Sequence, residues 1–324
     1  MPGISAEMVR GEVARFWKAY STRSGDVMEA MYFSTASTFG ASSPRSESAR
    51  VTMARRLREF AQRRWSLSAD IGIVDVQIAG DMAIASYPYH FHLMTTSSDG
   101  NQCSVEVPYS AGTQIFIQDN GGILRIIHEH FCAAEAGKTK VVPAESLSAT
   151  ERLAGKKPSD AGAASVITGW VPATDAVLVE QVRVLVRRFW ELFCSKSKEE
   201  FEQMYFPTAV VWAVGAKRSE PARLALVRRA REFFGPEESV KAELGRVDVQ
   251  TIGADLAVAS YSFRFHIIQM QANGKRMDID MPNCRSTQVF RRDETGTLRL
   301  MHEHASTAGV PTYKELPAAP GRTR

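Results

Sequence analysis

The chain has 324 residues, 44% of them hydrophobic and 23% charged, with a formal net charge of +4. Two domains of ordinary size fit that length, and so small a basic excess argues against a nucleic-acid partner. No apolar run approaches the roughly 18 to 20 residues of a membrane-spanning helix, so no membrane partner is expected.

Val9, Val13, Phe16, Trp17 and Tyr20 are spaced by three and four, which predicts an amphipathic helix with one apolar face. A short helical piece follows through Met28 to Met31. Ser46 and Glu47 then introduce a third helix whose stripe is Val51, Ala54, Leu57, Ala61 and Trp65. The period next drops to two, as Val74, Val76 and Ile78 alternate with Asp75 and Gln77 in the manner of a strand. Ala79-Gly80-Asp81 turns into a second strand, Met82 to Met94, which ends at another turn, Ser97-Ser98-Asp99-Gly100-Asn101. Further strands run near Ser104 to Gln118 and Ile123 to Phe131, parted by Asp119-Asn120-Gly121-Gly122.

The same order then returns. Phe16-Trp17 reappears as Phe189-Trp190, Met31-Tyr32-Phe33 as Met204-Tyr205-Phe206, Val74-Asp75-Val76-Gln77 as Val247-Asp248-Val249-Gln250, and His128-Glu129-His130 as His302-Glu303-His304. Each copy is far longer than a solenoid repeat of roughly 20 to 50 residues, so each should hold its own core. Helices first and hairpin-linked strands afterward predict an α+β fold, with three N-terminal helices packed on a curled, mostly antiparallel sheet in each copy. The expected domains are 1–136 and 176–308. Residues 137–175, without sustained periodicity, read as a linker, and 309–324, with three prolines, as a disordered tail.

The four cysteines, Cys103, Cys132, Cys194 and Cys284, form no CxxC pair and read as small buried hydrophobes. Met1-Pro2-Gly3-Ile4-Ser5 lacks the basic and apolar regions of a secretory signal, so a cytoplasmic location is expected. Arginines cluster at Arg55, Arg56, Arg58, Arg63 and Arg64, and again at Arg228, Arg229 and Arg231. Helical spacing spreads each cluster around a surface, which predicts a solvated face. No GxxxxGK[ST], no GxGxxG after a strand and no GxSxG elbow occurs.

All seven histidines fall on predicted strands. Residues i and i+2 of a strand share a face, so His90 and His92 lie with Ser86, opposite Tyr87, Tyr89 and Phe91. His128 and His130 likewise lie opposite Glu129. Imidazoles on adjacent strands raise the question of a metal. Arg264 stands where the first copy has His90, however, and a cation there opposes one, so neither metal nor cofactor is expected.

Three helices, a curled sheet and a last strand reading Ile126-Ile127-His128-Glu129-His130-Phe131 resemble the nuclear transport factor 2-like superfamily. The likeness is greatest to SnoaL-like domains and to the association domain of calcium/calmodulin-dependent kinase II. The resemblance implies tandem cone-shaped domains with a pocket in the open end of each cone. It also implies that His90 and Arg264 fall at a pocket-arginine position and that Gln114 and Gln288 fall at a second one, where this chain departs by supplying glutamine. Glu129 and Glu303 would face inward on the last strand, and Tyr32 and Tyr205 would line the pocket. The outer sheet faces would pair, so the two domains would form a pseudo-dimer within one chain, with Tyr87, Tyr89, Phe91, Tyr261, Phe263 and Phe265 needing that cover.

The expected site therefore comprises His90, His92, Gln114 and Glu129 in the first copy, and Arg264, His266, Gln288 and Glu303 in the second. Tyr32 and Tyr205 stand beside them. Glu106 and Asp280 are candidate second acids. A carboxylate beside an imidazole or guanidinium suits proton transfer near neutral pH, and His90, His92 and Glu129 are the expected catalytic set. Two classes of function follow: a binding protein or cofactor-independent acid/base enzyme for a small apolar or acidic molecule, and a non-catalytic scaffold made of a fused domain pair.

Overall fold

A computed structural model of the chain describes residues 3–40, 43, 45–62, 65–96, 102–133, 138–142, 175–214, 216–233, 235, 238–270, 275–307 and 312–316. The chain divides into two compact units of the same design.

In unit 1 the predicted first helix is α1 (Ala6–Ser21), opened by the Ser5 side chain accepting from the Met8 amide and burying Val9, Val13, Phe16, Trp17 and Tyr20 as one stripe. The helices α2 (Gly25–Ala30) and α3 (Ala49–Gln62) follow. The expected stripe of the third helix is not the buried one: Val51 and Ala54 are exposed and Trp65 lies beyond the end of α3, while Ala49, Thr52, Met53 and Phe60 are buried, a face turned by about one residue from the expected one. The strands are β1 (Tyr32–Phe39), β2 (Glu47–Ser48), β3 (Ser66–Ile71), β4 (Asp75–Ala79), β5 (Met82–Thr96), β6 (Gln102–Gln118), β7 (Leu124–Ala133) and β8 (Lys138–Val142). The sheet runs β2-β1-β7-β6-β5-β3, with β4 also on β5 and β8 on β6. Every pairing is antiparallel except β1 with β7, which is parallel and sets Thr38 beside Glu129. Gly80, at φ 61°, makes the two-residue hairpin between β4 and β5 that the turn signal predicted.

Unit 2 repeats the plan as α4 (Ala176–Ser195), α5 (Lys198–Gln203), β9 (Tyr205–Trp212), β10 (Glu220–Pro221), α6 (Ala222–Phe233), β11 (Ser239–Ile252), β12 (Leu256–Met270), β13 (Arg276–Arg292), β14 (Leu298–Thr307) and β15 (Thr312–Leu316). Its sheet order is β10-β9-β14-β13-β12-β11, with β15 on β13. One continuous strand, β11, replaces the separate β3 and β4 of unit 1. The split in unit 1 falls where Gly72 crowds Pro88, which has no N–H to give a ladder; an added Cβ on Gly72 would come within 2.7 Å of the Pro88 ring. The α+β architecture expected from the order of elements, three helices against a curled and mostly antiparallel sheet, is what each unit shows.

Besides β2, β3 and β10, four strands lie outside the predicted set. β1 and β9 begin at Tyr32 and Tyr205, directly after a helical piece, and are too short to show a period against it. β8 lies inside the expected linker and β15 inside the expected tail; both add edge pairing to a long strand. The rest of those two stretches is outside the described residues. No helix among the described residues is long and apolar enough to cross a membrane.

Candidate functional site

The tryptophans of the first helices decide which sheet face looks inward. The Trp17 indole N–H donates to the Tyr87 hydroxyl at 3.1 Å and its ring lies 4.9 Å from Tyr89. In unit 2, Trp190 donates to Tyr261 at 2.9 Å and packs on Phe263 at 4.5 Å. The aromatic face of β5 and β12 is therefore the helix-facing side, where apolar rings leave water. This corrects the assignment of Tyr87, Tyr89, Phe91, Tyr261, Phe263 and Phe265 to an outer face in need of cover.

Strand alternation then sends the histidines the other way. His90 and Arg264 are exposed, and His92 and His266 are half-buried. His92 meets Asp70 at 3.2 Å, His266 pairs with Asp278, and Arg264 holds both oxygens of Asp280 at 2.8 and 2.7 Å. The exposed Glu106 stands opposite His92 on this same outer face. None of the four basic residues joins the glutamates, so the expected sites are not assembled as predicted. The reason is parity along the strand: once Tyr87 or Tyr261 turns inward, residues at odd offsets cannot follow.

The other expected residues do converge. In unit 1 the buried Glu129 accepts from the Tyr32 hydroxyl at 2.8 Å and from the Thr38 hydroxyl at 2.7 Å, while Gln114, opposite it on β6, accepts from Tyr87 at 2.9 Å. Burial pushes the Glu129 carboxyl above its ordinary value, against the opposing pull of Arg56, Thr38, Tyr32 and Gln114. In unit 2, Glu303 accepts from Tyr205 at 2.7 Å, and Arg229 donates to its two oxygens at 3.0 and 2.9 Å. Burial works against the Arg229 guanidinium, but Glu303 and Tyr205 outweigh it and its pKa is raised.

The two arginines are the residues that sequence reading missed. Arg56 and Arg229 were assigned to a solvated face, yet Arg229 is 7% exposed and Arg56 points a nitrogen at Glu129 from 3.8 Å. A signal was available. Arg56 lies three and four residues from the buried Met53 and Phe60, and Arg229 lies three and four from Leu226 and Ala225, so each occupies its helix's inward stripe.

The outer face of the last strands carries His128 and His302, whose burial lowers each pKa to about 3 and keeps the imidazole neutral. His128 Nδ1 meets the Ser37 hydroxyl at 2.7 Å.

Unit 2 encloses a cavity of about 330 Å³ between its helices and sheet. Trp190, Phe193, Phe233, Phe263, Phe265, Ile267 and Met281 supply apolar wall, Arg229 and Glu303 lie at its polar end, and Tyr313 of β15 completes the rim. Cys284, whose thiol burial pushes up to about 11, is part of the wall and inert at neutral pH. In unit 1 the position of Ala305 is held by Phe131, which fills the interior by packing on Phe16, Trp17 and Tyr89 at 5.8, 5.6 and 5.7 Å. Gly112 makes room for that ring: a Cβ there would lie 2.8 Å from it. Unit 2 inverts the pair, with Ser286 opposite Ala305.

No protein-family model matches the sequence, and no curated protein matches it. Among solved structures, the chain is similar to a putative calcium/calmodulin-dependent protein kinase II association domain from Xanthomonas campestris, with 16% identity over 43% of this chain and 91% of that one, at a TM-score of 0.33. ActVI-ORFA from Streptomyces coelicolor is 10% identical over 41% of this chain and 98% of its own, at 0.34. An NTF2-like protein of unknown function from Pseudomonas putida KT2440 is 18% identical over 41% and 89%, at 0.33.

Proposed function

We propose that this protein binds a small, largely apolar molecule, and that the second unit holds it. The observation that carries the reading is the cavity of about 330 Å³ in unit 2, apolar along its walls and with the paired Arg229 and Glu303 at one end. Its size and its few convergent polar groups are those of a ligand pocket. Binding is favoured over proton transfer because Glu303 already receives three donors and is committed to Arg229. A base needs a lone pair free to meet a substrate proton.

Equilibrium dialysis of the whole chain with naphthalene tests the proposal. About one molecule per chain is expected to bind, seated in the unit 2 cavity. The double variant Ser286→Gly/Ala305→Phe transplants the filled interior of unit 1 and is expected to abolish binding without lowering the melting temperature. Retention of binding by that variant would place the ligand elsewhere. A wild-type chain that takes up no naphthalene would leave the scaffold function in its place.

A further inference from the structure

Arg229 reaches the cavity from α6 and is held there in one orientation. Its Nη1 and Nη2 donate to the two oxygens of Glu303 at 3.0 and 2.9 Å, and Nη1 also meets the Tyr205 hydroxyl at 3.3 Å. The guanidinium carbon lies 5.9 Å from the centre of the Phe193 ring. A ligand that bonds this group has little side-chain motion left to freeze.

A guanidinium carries five N–H groups in a rigid planar fork. Glu303 takes the tip of that fork, the pair formed by Nη1 and Nη2. The parallel pair along its side, the Nε–H and the second N–H of Nη2, has no acceptor among the described residues. Arg229 is 7% exposed and lines the cavity, so the cavity is where this open side can be met. Charged donors without an acceptor beside an apolar wall are costly, and an acceptor brought by a ligand removes that cost.

Building on the reading of the cavity as a ligand site, we infer that Arg229 is its specificity-determining residue and that the ligand is a neutral aromatic molecule with a carbonyl oxygen at its inner end. A carbonyl oxygen has two lone pairs near its plane and can accept from both N–H groups of the side fork. A carboxylate matches the fork in shape, but Arg229 would then be shared between two carboxylates in an apolar enclosure. Arg228, the other cation of the lining, is already paired with Glu220 and Glu232. A cationic ligand would face Arg229 itself. Aromatic walls at Trp190, Phe263 and Phe265 favour a flat ring system.

The test compares three probes of matched shape in equilibrium dialysis of the whole chain: 2-acetonaphthone, 2-isopropenylnaphthalene, in which a methylene replaces the carbonyl oxygen, and 2-naphthoate. The wild type is expected to bind the ketone on the order of tenfold more tightly than either other probe, the discrimination that one charged donor site provides. In Arg229→Met/Glu303→Met, which replaces a buried ion pair by apolar side chains as folded proteins tolerate, the ketone should bind no more tightly than its methylene counterpart. The infrared carbonyl stretch of the ketone bound to the wild type should lie below its position in hexane, a readout that needs no variant. Equal binding of ketone and methylene probe, tightest binding of the naphthoate, an unshifted stretch, or a ketone preference that survives in the double variant each overturns the role of Arg229 and leaves the cavity as an apolar site. Failure of all three probes to bind the wild type overturns both readings.

Discussion

Unit 1 and unit 2 share one buried Glu-Tyr-Arg cluster and use it differently. In unit 1 the Thr38 hydroxyl takes one oxygen of Glu129, and Arg56, which also bonds the Tyr20 hydroxyl, stands 3.8 Å off. In unit 2 the matching positions are Val211 and Phe193, which offer neither hydroxyl, and Arg229 donates to both oxygens of Glu303 and to the Tyr205 hydroxyl. The exchange of Gly112/Phe131 for Ser286/Ala305 sets a packed ring in one interior where the other has a small residue in the cavity wall. Four changes of side chain on one backbone plan distinguish the two interiors.

Phe131→Ala should test this most severely. Removing a ring that packs on three others is expected to cost about 3–5 kcal/mol in urea denaturation, and the variant should regain part of that loss with naphthalene present. A loss below about 1 kcal/mol would mean that Phe131 does not fill the interior of unit 1.

Nearly as large is the expected effect of Arg229→Met. It leaves Glu303 buried without its cation and should cost about 3 kcal/mol, whereas Arg56→Met should cost clearly less because Tyr32 and Thr38 still hold Glu129. Equal losses in the two variants would dissolve the contrast between a committed and a shared arginine.

Thr38→Val copies the second unit into the first. Loss of one hydrogen bond to a buried carboxylate should cost about 1.5 kcal/mol. A crystal structure of the variant should show Arg56 moved onto the freed oxygen, and an unmoved Arg56 would show that Tyr20 rather than Thr38 sets its position.

The smallest effect concerns pH. The folded Glu129 carboxyl titrates above its ordinary value of 4.5, so the folded state holds its proton longer than the unfolded chain does. The stability this contributes is fully present below about pH 4.5 and is lost as pH rises through the folded value. Denaturation midpoints measured across that window should fall less steeply for Glu129→Gln than for the wild type. An unchanged slope would assign the dependence to other groups.

Sequence alone determined the duplication, the apolar stripe of the first helix, the long strands and the tight turn at Gly80. These rest on local periodicity and on residues such as Gly80, whose backbone freedom a tight hairpin requires. It also located Glu129, Glu303, Tyr32, Tyr205, Gln114 and Gln288, which the fold brings to the interior of each unit. The short strands β1 and β9 escaped notice because they pair in parallel with a strand distant in the chain, and no local pattern records that partner. Tertiary structure alone decided which face of each strand looks inward. Alternation separates His90, His92, Arg264 and His266 from Tyr87 and Tyr261 but carries no sign, and the sign came from Trp17 and Trp190, set on helices more than sixty residues away. The same holds for Arg56 and Arg229, whose place on an inward stripe became meaningful only when the last strand set a carboxylate within reach of each.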